Sequence, residues 1–252
     1  MNSYAKLAGA AAAVLVVGFV GYQLLPGIGG SGGPPTVSPT PQASPSMSPT
    51  PEPTASLVAH ELMPFGPGGF DDEDPRAASM TFAFTAPPSW EPFEEIAVWP
   101  AGQGNDPPDG AFVGFNRGGS LFSEPCLTVE AEAEVEAGAD GDVPVGPTVD
   151  DLVTALVDHP SIDVTDPVDV TLAGYSGTYL DLTVPDDIRE CARYRPMYVG
   201  HHYAQGPGQR WHMWILDVDG VRVLVETNDY PGTSAERLAE EQAIIDSLEI
   251  TP

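Results

Sequence analysis

The sequence predicts an α+β domain: an antiparallel sheet with two helices packed on one face, preceded by a transmembrane helix and a disordered Pro/Ser/Thr linker. Three observations point there. Apolar residues alternate with a period of two over several short stretches between residues 78 and 250, each bounded by Gly and Pro clusters. The period lengthens to that of a helix twice, after Thr148 and after Thr233. An uncharged apolar run, followed by a tract of Gly, Pro, Ser and Thr, comes before all of this.

The apolar run extends from Leu7 to Leu25. As a helix it reaches roughly 28 Å at about 1.5 Å per residue, close to the thickness of a bilayer core. Lys6 and the α-amine precede it, and no Lys or Arg follows until Arg76. The positive-inside rule therefore places the amino terminus in the cytoplasm and the rest of the chain outside. The lipid bilayer is thus one expected partner, through residues 7–25. The competing reading is a cleaved signal peptide, whose apolar core is usually shorter, about 7–15 residues. The run also starts so near Met1 that a cytoplasmic segment ahead of it is a further expectation.

Residues 26–77 read as a stalk and acidic linker. Steps such as Ser38-Pro39, Thr40-Pro41 and Ser48-Pro49 favour extended polyproline II, and the glycines before them supply freedom. Serine and threonine beside proline also match the composition of O-glycosylated stalks. Asp71-Asp72-Glu73-Asp74 closes the segment as a run of four carboxylates.

The outer domain, residues 78–252, is long enough for one core. Strands are expected at Met80 to Phe84, at Glu95 to Trp99 and at Ala111 to Asn116, and the stretch from Glu130 to Gly146 as a loop. Thr148, three residues before Asp151, caps a helix whose face is Leu152, Val153, Leu156 and Val157, and His159-Pro160 ends it. A strand at Val168 to Leu172 turns at Gly174 to Gly177 into another bearing Leu180, Leu182 and Val184. Asp219-Gly220 is a two-residue hairpin turn, because both of its central positions require positive φ. That turn sets a register pairing Val218 with Val221, Leu216 with Val223 and Trp214 with Val225, with an Asp217–Arg222 ion pair across the strands. Thr233 and Glu236 form a capping box for a last helix with Ala235, Leu238, Ile245 and Leu248 on one stripe.

Thirty-seven acidic residues against nine basic ones give a formal charge of −28. Lys6 is the lone lysine, so the outer region carries only arginine as a fixed cation. Such a surface repels polyanions and argues against nucleic acid as a partner. Cys126 and Cys191, both in the outer region, are expected as a disulfide in an oxidising compartment, worth about 4 kcal/mol by chain entropy, with free thiols or metal ligands as the alternatives.

The span ending Leu24-Leu25-Pro26-Gly27 before a Pro-Thr-Ser tract resembles small membrane-anchored proteins of actinobacteria. Segments Asp166-Pro167-Val168-Asp169-Val170, Gly174-Tyr175-Ser176-Gly177 and Trp214 to Gly220 resemble the core of their uncharacterised outer domains. The strand-rich order with a late hairpin and closing helix is also loosely similar to the PsbP/Mog1-like fold. The first resemblance implies an extracytoplasmic, single-pass protein and no activity; the second concerns fold alone.

Unusual residues concentrate between Arg189 and Arg222, where Arg193, Arg195, His201 and Trp211 are the candidate ligand-binding side chains, suited to stacking and guanidinium contacts; the competing and favoured reading pairs the arginines with nearby carboxylates and packs the aromatics on the sheet. His201, His202 and His212 lack acidic or cysteine ligands at metal-site spacing, and Asp217 to Gly220 fits a hairpin better than a calcium loop. No Gly-x-Ser-x-Gly, phosphate-cradling loop or dinucleotide fingerprint occurs. No catalytic residue, metal or cofactor is expected. The reading is a non-catalytic, membrane-tethered sensing or interaction domain of the cell envelope, with a protein or glycan as partner. An envelope hydrolase or transferase using the 189–222 region, and the sensor part of a truncated anti-sigma-like regulator, are the alternatives.

Overall fold

The structure is a computed structural model and describes residues 56–66, 74–199 and 202–252. In chain order its elements are β1 (Val58–Leu62), β2 (Thr81–Ala86), β3 (Trp90–Phe93), β4 (Ala97–Pro100), β5 (Phe112–Asn116), β6 (Cys126–Leu127), α1 (Val129–Glu136), α2 (Val149–Val157), β7 (Asp163–Val164), β8 (Val168–Leu172), β9 (Tyr175–Thr183), β10 (Arg193–Tyr194), β11 (Arg210–Val218), β12 (Val221–Asp229), α3 (Ala235–Asp246) and β13 (Glu249–Thr251). The fold is mixed α+β, with antiparallel sheets.

The β11–β12 hairpin is the centre of the molecule. Asp219 and Gly220 take φ of 52° and 82°, and the register is the one that turn dictates, Val218 opposite Val221 and Trp214 opposite Val225. Around it an eight-stranded sheet runs β3-β4-β5-β12-β11-β9-β7, with β8 also paired to β9. Alternation splits β11 and β12 between two cores. Leu216, Val218, Val221, Val223 and Val225 face the three-stranded sheet β1-β2-β13 and α3, through Phe82, Phe84, Ile244 and Ile245. Met213, Ile215 and Leu224 face the other way, against Leu152 and Leu156 of α2.

The expectation of two helices on one face is therefore corrected: three helices occur among the described residues, and α2 and α3 lie against opposite faces. Both faces of β12 are buried along its whole length, so each needs its own cover. The 130–146 stretch is not all loop, because α1 starts at Thr128, whose hydroxyl accepts from Ala131 N at 3.2 Å. Val135 is its one buried residue, which leaves almost no apolar stripe to read.

Folded structure also begins before residue 78. β1 pairs with β2, and Leu62 and Phe65 are buried in the core. α2 carries the Thr148–Asp151 capping box, whereas the cap of α3 is Ser234, one residue past Thr233; the Thr233 hydroxyl accepts instead from Tyr230 N. Asp217 and Arg222 sit opposite each other but form no ion pair. Arg222 is buried and donates to the carbonyls of Arg117, Gly146, Thr148 and Gly118, while Asp217 accepts from Gly220 N at 2.7 Å. Its burial among carbonyls, with Arg117 close by, lowers the Arg222 pKa to about 10. Among the described residues no helix is long and apolar enough to cross a membrane. The expected span at 7–25, the Pro-rich stalk and Asp71 to Glu73 of the acidic run lie outside the described residues.

Candidate functional site

A cavity of about 750 Å³ opens over β4, β5 and β12, lined by residues between 91 and 106 and by Val199, His202, Tyr203 and Gln205. Its floor follows from register. Glu226 of β12 lies opposite Gly114 of β5 and Met213 of β11, on the face that elsewhere packs against α2. The glutamate is 1% exposed. Its Oε1 accepts from Asn116 Nδ2 at 3.2 Å and lies 3.1 Å from His202 Nδ1, whereas its Oε2 has no hydrogen-bond partner. A buried carboxylate oxygen without a donor is costly, so this is the atom that sets the site apart. Gly114 makes the arrangement possible: a Cβ there would stand 2.2 Å from the Phe112 ring and 3.3 Å from Glu226 Oε1.

The 202–205 wall is held by what surrounds it. Cys126 and Cys191 form a disulfide, which anchors the chain beside the short β6–β10 ladder. Arg195 is fully buried and reaches Glu132 at 2.7 and 2.9 Å and Glu136 at 2.8 Å; its Nη1 donates to His202 O at 3.0 Å. Those hydrogen bonds hold the Glu132 carboxyl below its ordinary range. The His202 ring then stacks between Trp211, at 4.5 Å and 10°, and Phe112, at 5.2 Å and 25°. The facing wall is fixed through Asn105, whose side chain accepts from Gln209 at 3.1 Å and whose carbonyl accepts from Tyr230 Oη at 2.7 Å.

Of the residues singled out in the sequence, Arg195 and Trp211 build this site from behind and do not line it. Arg193 is exposed, with its guanidinium 4.5 Å from the centre of the Tyr203 ring. His201 lies outside the described residues. The reading missed Glu226, Asn116, Phe112 and Trp99. One signal for Glu226 was present: it follows Leu224 at the inward period of a strand whose other positions are mostly apolar.

On the opposite face of the same hairpin, His212 is gripped by two carboxylates. Its Nδ1 is 2.6 Å from Asp181 and its Nε2 2.7 Å from Asp229, with Tyr179 Oη 3.0 Å from Nδ1 and Arg210 also bonded to Asp229. Burial pulls the His212 pKa down, but the bonds to Asp229 and Asp181 more than reverse this, so it stands above its ordinary value. Both ring nitrogens are occupied, which leaves neither for proton transfer to a substrate. Nearby, burial raises the Glu241 pKa to about 9, even though Phe112 N donates to it at 3.3 Å.

A more open depression of about 820 Å³ runs past Arg76, Asp150 and Asp169, but both guanidinium groups in it are engaged, Arg222 with carbonyls and Arg76 with Asp74. Among the described residues no group of three His, Cys, Asp or Glu side chains is gathered as a metal ion requires.

No family model matches the chain, and no curated protein matches it. Among solved structures the chain is similar to LpqN of Mycobacterium tuberculosis, described as involved in cell envelope biogenesis. The identity is 14%, over 78% of this chain and 92% of that one, with a TM-score of 0.35. A likeness at that level carries no argument about fold or function.

Proposed function

We propose that the chain is a non-catalytic binding protein of the cell envelope, tethered through residues 7–25, that takes up a small molecule in the cavity over Glu226. One observation carries the binding reading: a buried carboxylate oxygen without a donor, at the floor of a cavity of about 750 Å³. That volume falls within the roughly 300–1,000 Å³ of small-molecule sites. The tethered, outward location is supported by the apolar run and by the disulfide, since such bonds persist mainly in oxidising compartments.

The full-length chain, screened by ligand-detected NMR against a chemically diverse set of small molecules, is expected to yield binders that weaken in Trp99→Ala and Glu226→Gln. Binders indifferent to both substitutions, or none, would overturn the cavity as a binding site. Alkaline-carbonate extraction of expressing cells tests the tether: the chain should stay with the membrane pellet, and its release would remove that part of the reading.

A further inference from the structure

We infer that the ligand of this cavity is an organic ammonium ion, a protonated primary or secondary amine carried on an apolar body, seated with an N–H on Glu226 Oε2. The inference rests on the binding reading above and names its chemistry.

Charge is the first argument. Glu226 lies at the floor and Glu91, Glu94 and Asp106 at the rim, while no Lys or Arg is among the described residues that line the cavity. Arg193 and Arg195 lie over the Tyr203 ring at 4.5 and 5.1 Å, and Arg195 is bound to Glu132 and Glu136. An anionic ligand would meet four carboxylates and no free guanidinium.

Hydrogen-bonding capacity is the second. Three amides of the cavity each spend one N–H within the protein. Asn116 donates to Glu226 and accepts from Gly118 N, Gln103 donates to Asp106 O, and Gln205 donates to Tyr203 O. Each of those amides keeps a second N–H, and His202 Nδ1 also lacks a partner, but the buried carboxylate oxygen left open is Glu226 Oε2. An ammonium needs acceptors alone, and a carboxylate oxygen is the strongest acceptor the side chains offer. A cation at Oε2 would also relieve the cost of a buried carboxylate that has only partial satisfaction.

The aromatic lining is the third. Phe93 and Trp99 pack with ring centroids 4.0 Å apart at the rim, and Phe112 and Tyr203 face them across the opening. Ring faces hold both an apolar body and a neighbouring positive charge. Glu94, at φ 51°, stands at the lip in a backbone region that costs a non-glycine residue energy, as is common at ligand clamps.

The test is isothermal titration of the full-length chain with four probes: phenethylammonium, its neutral counterpart 2-phenylethanol, choline and sucrose. Phenethylammonium should bind at least about tenfold tighter than 2-phenylethanol, a difference of about 1.4 kcal/mol. Choline, which has no N–H, should bind more weakly than phenethylammonium. Glu226→Gln should erase the preference for charge while leaving 2-phenylethanol unchanged, and Trp99→Ala, at a half-exposed rim position, should weaken both. Equal binding of the charged and neutral probes, tighter binding of sucrose, choline matching phenethylammonium, or an unchanged ratio in Glu226→Gln would each overturn the assignment. Silence from all four probes while the diverse screen yields cavity binders would sink the ammonium alone; silence in both would sink the binding reading.

Discussion

The two faces of the β11–β12 hairpin bury charge in opposite ways. Beneath α3, Asp229 is 1% exposed and is met by both Arg210 and His212. On the cavity face Glu226 is buried to the same degree, yet has Asn116 and the edge of His202 at one oxygen and no partner at the other. The two carboxylates are three residues apart in sequence, and burial alone does not tell them apart. Completeness of partners does: a closed network holds the fold, and an open valence is what the binding proposal rests on.

Several substitutions would break or sharpen that contrast. The largest effect is expected from replacing Cys126 and Cys191 by serine. A closed loop of this span contributes about 4 kcal/mol, to be read by chemical denaturation of the full chain. Hydrogen exchange should rise more in the 194–205 wall than in α3, and uniform loosening would contradict the disulfide's role in that wall.

Asp229→Asn comes next, at about 3 kcal/mol, because it strips a buried carboxylate from two cationic partners. A cost below about 1 kcal/mol would show that the network under α3 is not closed.

Glu241→Gln tests the same face through pH. Its folded pKa, about 9, lies above the ordinary 4.5 because burial penalises the charged form. The folded state therefore holds the extra proton between those values, and stability should fall as pH rises through that window. His212 adds to the trend: its pKa is raised, so its contribution is present below 6.5 and is lost as pH climbs through the folded value. Glu241→Gln should flatten the profile and stabilise at neutral pH by on the order of 2 kcal/mol. Thermal melts from pH 5 to 9 check this, and an unchanged slope would count against it.

Glu226→Gln, by contrast, should be neutral or stabilising by about 1 kcal/mol in the absence of ligand, since it removes charge from a site that only half satisfies it. A loss as large as that of Asp229→Asn would erase the distinction between the faces. Smallest of all, Asp217→Ala should cost about 0.5 kcal/mol, and a double-mutant cycle with Arg222 should show almost no coupling.

What could be read from sequence was what neighbours in the chain decide. The hairpin was legible because Asp219-Gly220 and the alternation on either side agree, and α2 because Thr148 and Asp151 stand at capping distance. The cysteine pairing followed from there being two in the outer region. α1 escaped because it hides little apolar surface, and β1 because its few core residues sit between proline-rich and acidic stretches. The site was illegible for a different reason. Asn116 and Glu226 meet across 110 positions, and Arg195 and Glu132 across 63, so their partnership exists only once β5 has paired with β12 and α1 has docked. Conspicuous charge and aromaticity made Arg193, Arg195, His201 and Trp211 candidate ligand contacts, set against pairing of the arginines with carboxylates and packing of the aromatics on the sheet, and Arg195 and Trp211 follow the second course. The fold spends Arg195 and Trp211 on scaffolding.

The ladder joining β6 to β10 is only two residues long on each strand, too little backbone pairing to hold a wall upright unaided. Sulfur chemistry therefore supplies what strand length does not, and it does so only once electrons have been removed from both thiols. A newly made chain in reducing surroundings would possess the large sheet and its covering helices before it possessed a fixed wall beside the cavity, so the binding role proposed for that cavity would begin where oxidation does.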